Sequence, residues 1–302
     1  MESAEKSLQI REMKQSLNAV ILAHNYQIGE IQDIADFVGD SLELSRKAAR
    51  VEEKVIVFCG VHFMAETANV LAPDKLVLIP EISAGCPMAD MISGDEIRAW
   101  KRDYPGLPVV SYVNTSAEVK AESDICCTSA NAVKVVESIE GNEILFAPDK
   151  NLASYVAKQT DKKVIPWDGY CYVHHHIRLR DINEKRGRYP GAEVWVHPEC
   201  RPEVSDASDH VFSTGQMVKT AGETDRKTII VGTETGIIHR LKKENPGVNF
   251  VPAKDSALCV NMKKITMDNL YQALLNKQYK VEVPADIAER ARRAIERMIQ
   301  IG

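Results

Sequence analysis

The chain has 302 residues, 44% of them apolar and 27% charged, with a net charge of −5 at pH 7. Such a composition belongs to an ordinary globular protein, its acidity excludes the basic surface of a nucleic-acid binder, and its apolar runs fall short of the roughly 18 residues of a membrane span. Seven cysteines, behind a polar opening stretch MESAEKSLQIREMKQ without a charged-then-apolar leader, predict a cytoplasmic protein whose thiols are metal ligands or small buried residues rather than a disulfide framework.

Residues 1–17 read as a helix packed outside the first repeated unit. The chain then states one pattern three times. A strand run ends at His24, Tyr112 and His197, and two residues later stand Tyr26, Asn114 and Glu199. Next comes an acid five residues ahead of a hydroxyl: Asp36 and Ser41, Asp124 and Ser129, Asp209 and Thr214. A second apolar run, an amphipathic helical run and a proline-bearing run lead to Cys86, Cys171 and Cys259. Strand ends and hydroxyls step by 88 and then 85 residues, the cysteines by 85 and then 88. The units run 18–104, 105–190 and 191–281, and residues 282–302 close the chain with a helix whose Ile and Ala stripe is a packing face. Each unit reads strand, helix, strand, helix, strand. The prediction is an α/β protein of three αβα units, each with a small parallel sheet, around a pseudo-threefold axis.

In open parallel sheets ligands sit at the carboxyl ends of strands, the edge that carries the polar residues of all three units. Three loop cysteines meeting there are compatible with relics of duplication, with a zinc ion holding a water, or with a cubane iron–sulfur cluster that leaves one iron free. Their company favours a reactive site, because a repeated backbone has been given different groups: His24 and Tyr26, Tyr112 and Asn114, His197 and Glu199. Ser41, Ser129 and Thr214 stand at helix starts, where a hydroxyl ordinarily caps the first turn, and three such starts facing one axis predict an anion site. Cys59, Cys126 and Cys127 fall in strand runs, and Cys200 adjoins Glu199. The run His174, His175, His176 offers neighbouring rings that point opposite ways, so no second metal is expected there.

The strings AHNYQ with DIADFVGDS, YVNTSAE with CTSANAV, VHPEC with STGQM, and CVNMK resemble the quinolinate synthase family over Ile21 to Lys264. That resemblance implies three αβα domains around a [4Fe–4S] cluster held by Cys86, Cys171 and Cys259. The implied reaction condenses iminoaspartate with dihydroxyacetone phosphate to quinolinate, losing phosphate and two waters, in de novo NAD biosynthesis. It implies catalytic roles for Glu199, His197, Tyr26 and Tyr112. His24 and Asn114 would orient carboxylate or hydroxyl groups, and Ser41, Ser129, Ser213 and Thr214 would bind anionic groups. An aspartate oxidase or dehydrogenase supplying iminoaspartate is the implied transient partner. A zinc-dependent aldolase or lyase, an electron carrier and an iron–sulfur sensor are the other classes such cysteines could serve.

Overall fold

The computed structural model describes residues 3–301. After α1 (Ser3–Ser16), the first unit runs β1 (Ala19–His24), α2 (Gly29–Ile34), β2 (Phe37–Gly39), α3 (Ser41–Ala48), β3 (Val55–Cys59), α4 (His62–Leu71) and β4 (Leu76–Leu78). A connecting helix, α5 (Gly94–Asp103), leads to β5 (Val109–Tyr112), α6 (Ala117–Glu122), β6 (Ile125–Cys127), α7 (Ala132–Glu137), β7 (Glu143–Ala147), α8 (Lys150–Ala157) and β8 (Lys163–Pro166). Past α9 (Tyr172–His175) and α10 (Leu179–Arg188), the third unit contains β9 (Glu193–Val196), α11 (Pro202–Asp206), β10 (His210–Val211), α12 (Thr214–Ala221), β11 (Thr228–Gly232), α13 (Ile237–Glu244) and β12 (Asn249–Pro252). α14 (Met267–Asn276) and α15 (Ala285–Gln300) finish the chain.

The three sheets share one all-parallel order, β2-β1-β3-β4, β6-β5-β7-β8 and β10-β9-β11-β12. Each thus gains a short edge strand that the three-strand pattern of the sequence did not show. Its anchor is the repeated acid. One oxygen of Asp36, Asp124 and Asp209 accepts, at 2.8 Å in every case, the backbone N–H of Ile21, Val109 or Val194 in the first half of the neighbouring strand. The three acids therefore have a structural task.

β1 and β3 are buried along their whole length, as continuous apolar runs in a doubly covered parallel sheet must be. Alternate side chains enter different cores. Leu22, Ile56, Val110, Phe146, Trp195 and Val231 point into a central core shared by all units. The opposite faces make separate cores: Ile21 and Val57 with Leu270 and Leu274 of α14, Val109 and Leu145 with Ile97 and Trp100 of α5, Val194 and Ile230 with Ile182 of α10. The helix that follows each cysteine therefore covers the sheet of the next unit, and α14 returns to the first. α15 lays its Ala291, Ala294, Ile295 and Met298 stripe on the central core, and Arg46 and Asn131 tie its last carbonyls to the first and second units. No helix among the described residues is long and apolar enough to cross a membrane.

Candidate functional site

In the order 2-1-3-4 the chain reverses direction across the sheet between the first and third strands, and the loops leaving those two strands frame a crevice. The three crevices open into one central cavity. It is lined by Cys86, Cys171 and Cys259, by His24, Tyr26, Tyr112, Asn114, His197 and Glu199, and by Ser41, Ser129 and Thr214. Of the catalytic, binding and metal-ligand residues expected from the sequence, Ser213 alone is outside this lining. It is buried as the N-cap of α12, accepting from Gln216 N–H at 3.2 Å.

The cysteine sulfurs occupy matching cradles. Backbone N–H groups of Met88 and Ala89 point at Cys86, that of His174 at Cys171, and those of Asn261 and Met262 at Cys259. Burial pushes all three thiols up, Cys86 to about 12, so without a cation they would stay protonated in their pocket. Three sulfurs from three units, each met by N–H donors, are a donor set suited to a thiolate-bound metal group. Cys59, Cys126, Cys127 and Cys200 are buried in the cores instead.

Beside Cys171 a hydrogen-bonded line crosses the units. Tyr26 OH lies 2.6 Å from Thr233 Oγ1, which lies 2.8 Å from His174 Nε2. His174 Nδ1 stands 2.5 Å from Glu199 Oε2 and 3.2 Å from Cys171 Sγ, and Tyr112 donates to the same Glu199 carboxylate. Burial opposes a charge on Glu199, yet the adjacent His174 and His197 rings and the hydrogen bonds from His174 and Tyr112 outweigh it and hold the carboxyl below its ordinary range. Burial raises both tyrosines well above 10, with the Glu199 charge adding to it, so they remain protonated donors.

His24 and His197 are neutral, held at about 3 chiefly by burial. Their tautomer is set by the chain itself. The N–H two residues on, Tyr26 N at 3.2 Å and Glu199 N at 3.4 Å, donates to each ring's Nδ1 and leaves the proton on Nε2. His197 Nε2–H then donates to Ser129 Oγ at 3.2 Å. Asn114 Oδ1 is buried in the same cavity without a hydrogen-bond partner, an acceptor left for a ligand's donor.

The helix starts differ from expectation. α3 is capped by Asp40, whose Oδ1 accepts from Leu42 N and Glu43 N at 3.0 and 2.9 Å, with Glu43 reciprocating in a capping box. The same carboxylate accepts the N–H of Gly215 on α12. A Cβ at Gly215 would stand 2.5 Å from Asp40 Oδ2, so only glycine permits this approach. Two of the three helix starts expected to form an anion site are thus already occupied by the protein's own acid. α7 is preceded by Asn131, whose side-chain oxygen accepts from Thr128 N at 2.8 Å. Ser41 and Thr214 sit one residue inside their helices, free of capping and facing the cavity.

Sequence reasoning misses His174, which stands as one of three adjacent histidines. Its signal is its place three residues after Cys171, matching Ala89 after Cys86 and Met262 after Cys259. His175 turns away to Arg201 and Tyr170, and His176 Nδ1 meets Tyr172 O at 2.6 Å.

Residues 8–300 match the sequence profile described as "NadA: Quinolinate synthetase A protein". The chain belongs to the quinolinate synthase family. It is 59% identical over 295 residues to the quinolinate synthase of Dehalococcoides mccartyi strain CBDB1, covering 98% of each chain. Identity to the quinolinate synthase of Thermococcus onnurineus strain NA1 is 52% over 304 residues and 100% of each chain, and to that of Methanoregula boonei 53% over 97% of each. A chain this similar from end to end to quinolinate synthases is an enzyme of that type. The three parallel αβα units predicted from the repeat are the observed architecture.

Proposed function

We propose that the protein condenses iminoaspartate with dihydroxyacetone phosphate to give quinolinate, with loss of phosphate and two waters, in de novo NAD biosynthesis in the cytoplasm. An aspartate oxidase or dehydrogenase would supply the unstable imine. The observation that carries this reading is the convergence of Cys86, Cys171 and Cys259 in one cavity with Glu199 and its hydrogen-bond partners. The three cysteines would hold a [4Fe–4S] cluster, which when bound supplies a Lewis-acidic iron.

Around that centre the chain's own groups divide the work. Glu199 is a charged base at neutral pH, able to take a proton at Oε2 and pass it on through His174 Nδ1 or Tyr112. His197 offers Nε2–H together with Ser129, and neutral His24 and Tyr26 furnish donors at the opposite strand end. Asn114 Oδ1 accepts a hydroxyl or imine N–H from the dicarboxylate half. Ser41, Ser129 and Thr214 offer hydroxyls to carboxylate or phosphate oxygens, and Ser213 supports that edge from behind as the cap of α12. Burial of His24, Tyr26, Tyr112, His197 and Glu199 excludes water from intermediates that hydrolyse.

A second reading, a zinc-dependent aldolase or lyase, draws on the ligand atoms of Cys171, His174 and Glu199 lying within 4.8 Å of one another. Anaerobic purification separates the two. A brown protein containing iron and acid-labile sulfide that forms quinolinate from both substrates supports the first. Colourless, zinc-loaded and active protein would replace it with the second.

A further inference from the structure

The loops leaving the third strand type of each sheet place Val61, Asp149 and Glu234 at equivalent positions, again 88 and 85 residues apart. In every unit this loop docks the cysteine loop by one backbone bond. The N–H of His62, Lys150 or Thr235 donates to the carbonyl of the residue two before the cysteine, Ala84, Gly169 or Ala257, at 2.8, 2.9 and 2.9 Å. The second and third units add another contact. Asp149 Oδ2 accepts the N–H of Cys171 at 2.9 Å while its Oδ1 accepts that of Leu152 at 2.7 Å. Glu234 Oε1 accepts the N–H of Cys259 at 3.0 Å while its Oε2 accepts that of Gly236 at 2.7 Å, and Lys263 Nζ pairs with it at 2.9 Å. Both side chains are fully buried. In the first unit valine stands there, and Cys86 has the backbone docking bond without a carboxylate.

We infer that Asp149 and Glu234 are positioning residues that lock the loops of Cys171 and Cys259, leaving Cys86 as the ligand that lets go first when the bound metal group is lost. A carboxylate can meet two N–H groups, one per oxygen, whereas an amide offers one acceptor and turns its NH₂ against the other donor. A buried N–H left unpaired loses its solvation without compensation and loosens the loop that carries it. The cost falls on one loop and not on the fold's cores. The unlocked first unit is the asymmetric one, and its loop carries the exposed Ile82.

This inference rests on the three cysteines being ligands, as proposed above, and its test separates the two. Anaerobically purified holoenzyme is incubated with an iron chelator and iodoacetamide, and alkylation of each cysteine is followed by mass spectrometry. In the wild type Cys86 is modified first. Asp149→Asn accelerates capture of Cys171 by roughly 10-fold and leaves Cys259 unchanged, and Glu234→Gln does the reverse. Folded variants with unchanged capture of their own cysteine, or with equal acceleration at all three, overturn the inference, the latter marking general loosening. If Asp149→Asn does not fold, Glu234→Gln decides alone. Should the wild type hold zinc or no metal, the cluster reading fails, and the same labelling on the protein as isolated, with a zinc chelator where needed, still judges the locks.

Discussion

The outer and inner faces of the three sheets teach different lessons. Outside, one problem is solved the same way each time: a helix delivers Ile97 and Trp100, Ile182, or Leu270 and Leu274 onto the alternate strand residues that the central core does not use. Inside, at the carboxyl edge, equivalent positions hold His24, Tyr112 and His197, or Val61, Asp149 and Glu234. Repetition marks what the backbone needs, and under the proposed function divergence marks what a single asymmetric ligand needs.

The inner edge should respond to substitution by loss of chemistry with the fold intact. Cys171→Ala should abolish binding of the metal group, whereas Cys126→Ala, in a core strand, should leave it; iron and sulfide content of anaerobic protein measures both. Glu199→Gln should retain the metal group and bind quinolinate but slow turnover by roughly 10²–10⁴-fold, because the amide cannot accept the proton. Near-normal turnover would remove Glu199 from the mechanism.

The outer faces should respond in stability. Ile97→Ala, at a fully buried site, should cost about 2–5 kcal/mol in urea unfolding while spectra of the bound centre in the surviving native protein stay unchanged. A spectral change would mean that the two faces are coupled more tightly than their separate cores suggest.

A pH series tests the inner edge again. The folded value of His24, about 3, lies below its ordinary 6.5, so the unfolded chain binds the proton more readily. Stability is therefore full above pH 6.5 and falls as pH drops below it, by about 1.4 kcal/mol per pH unit at most from this ring. His24→Asn should fall less steeply than wild type between about pH 6.5 and 4.5, a window above the ordinary titration of carboxyls. Parallel curves would place the ring's neutrality outside the energetics of folding.

The smallest effect divides the edge itself. Ser129→Ala and Thr214→Ala should each weaken dependence on dihydroxyacetone phosphate by about 1 kcal/mol more than they weaken quinolinate binding. Tyr112→Phe should show the opposite bias. Equal losses in both properties for both sets would erase the distinction between a phosphate side and a dicarboxylate side.

The sequence displayed the repeat because its carriers, apolar runs, acids, hydroxyls and cysteines, keep their type at fixed spacing. The hidden features obey the same logic. Asp40 and Ser41 are both competent caps, and only the backbone register, with Glu43 three residues on, makes the acid the cap and releases the hydroxyl to the cavity. The edge strands Phe37–Gly39 and His210–Val211 are too short to show a period. Asp149 and Glu234 escape because valine replaces them in the first copy, and His174 because two histidines beside it face elsewhere. That α14 belongs against the first sheet is a contact across most of the chain, beyond any local pattern.

That contact has a consequence for synthesis. As the chain leaves the ribosome, the second and third sheets receive their outer cover, α5 and α10, before their own strands are complete, whereas the first sheet must wait for Leu270 and Leu274. Until then Ile21 and Val57 are sheltered on that side by Ile10 of α1 and by Ile31 and Ile34 of α2. The first unit made is thus the last one finished, and a nascent chain halted before residue 267 should engage chaperones through that half-covered sheet. The third cysteine emerges only shortly before the helix that closes the ring, so translation itself times when a metal group can be enclosed.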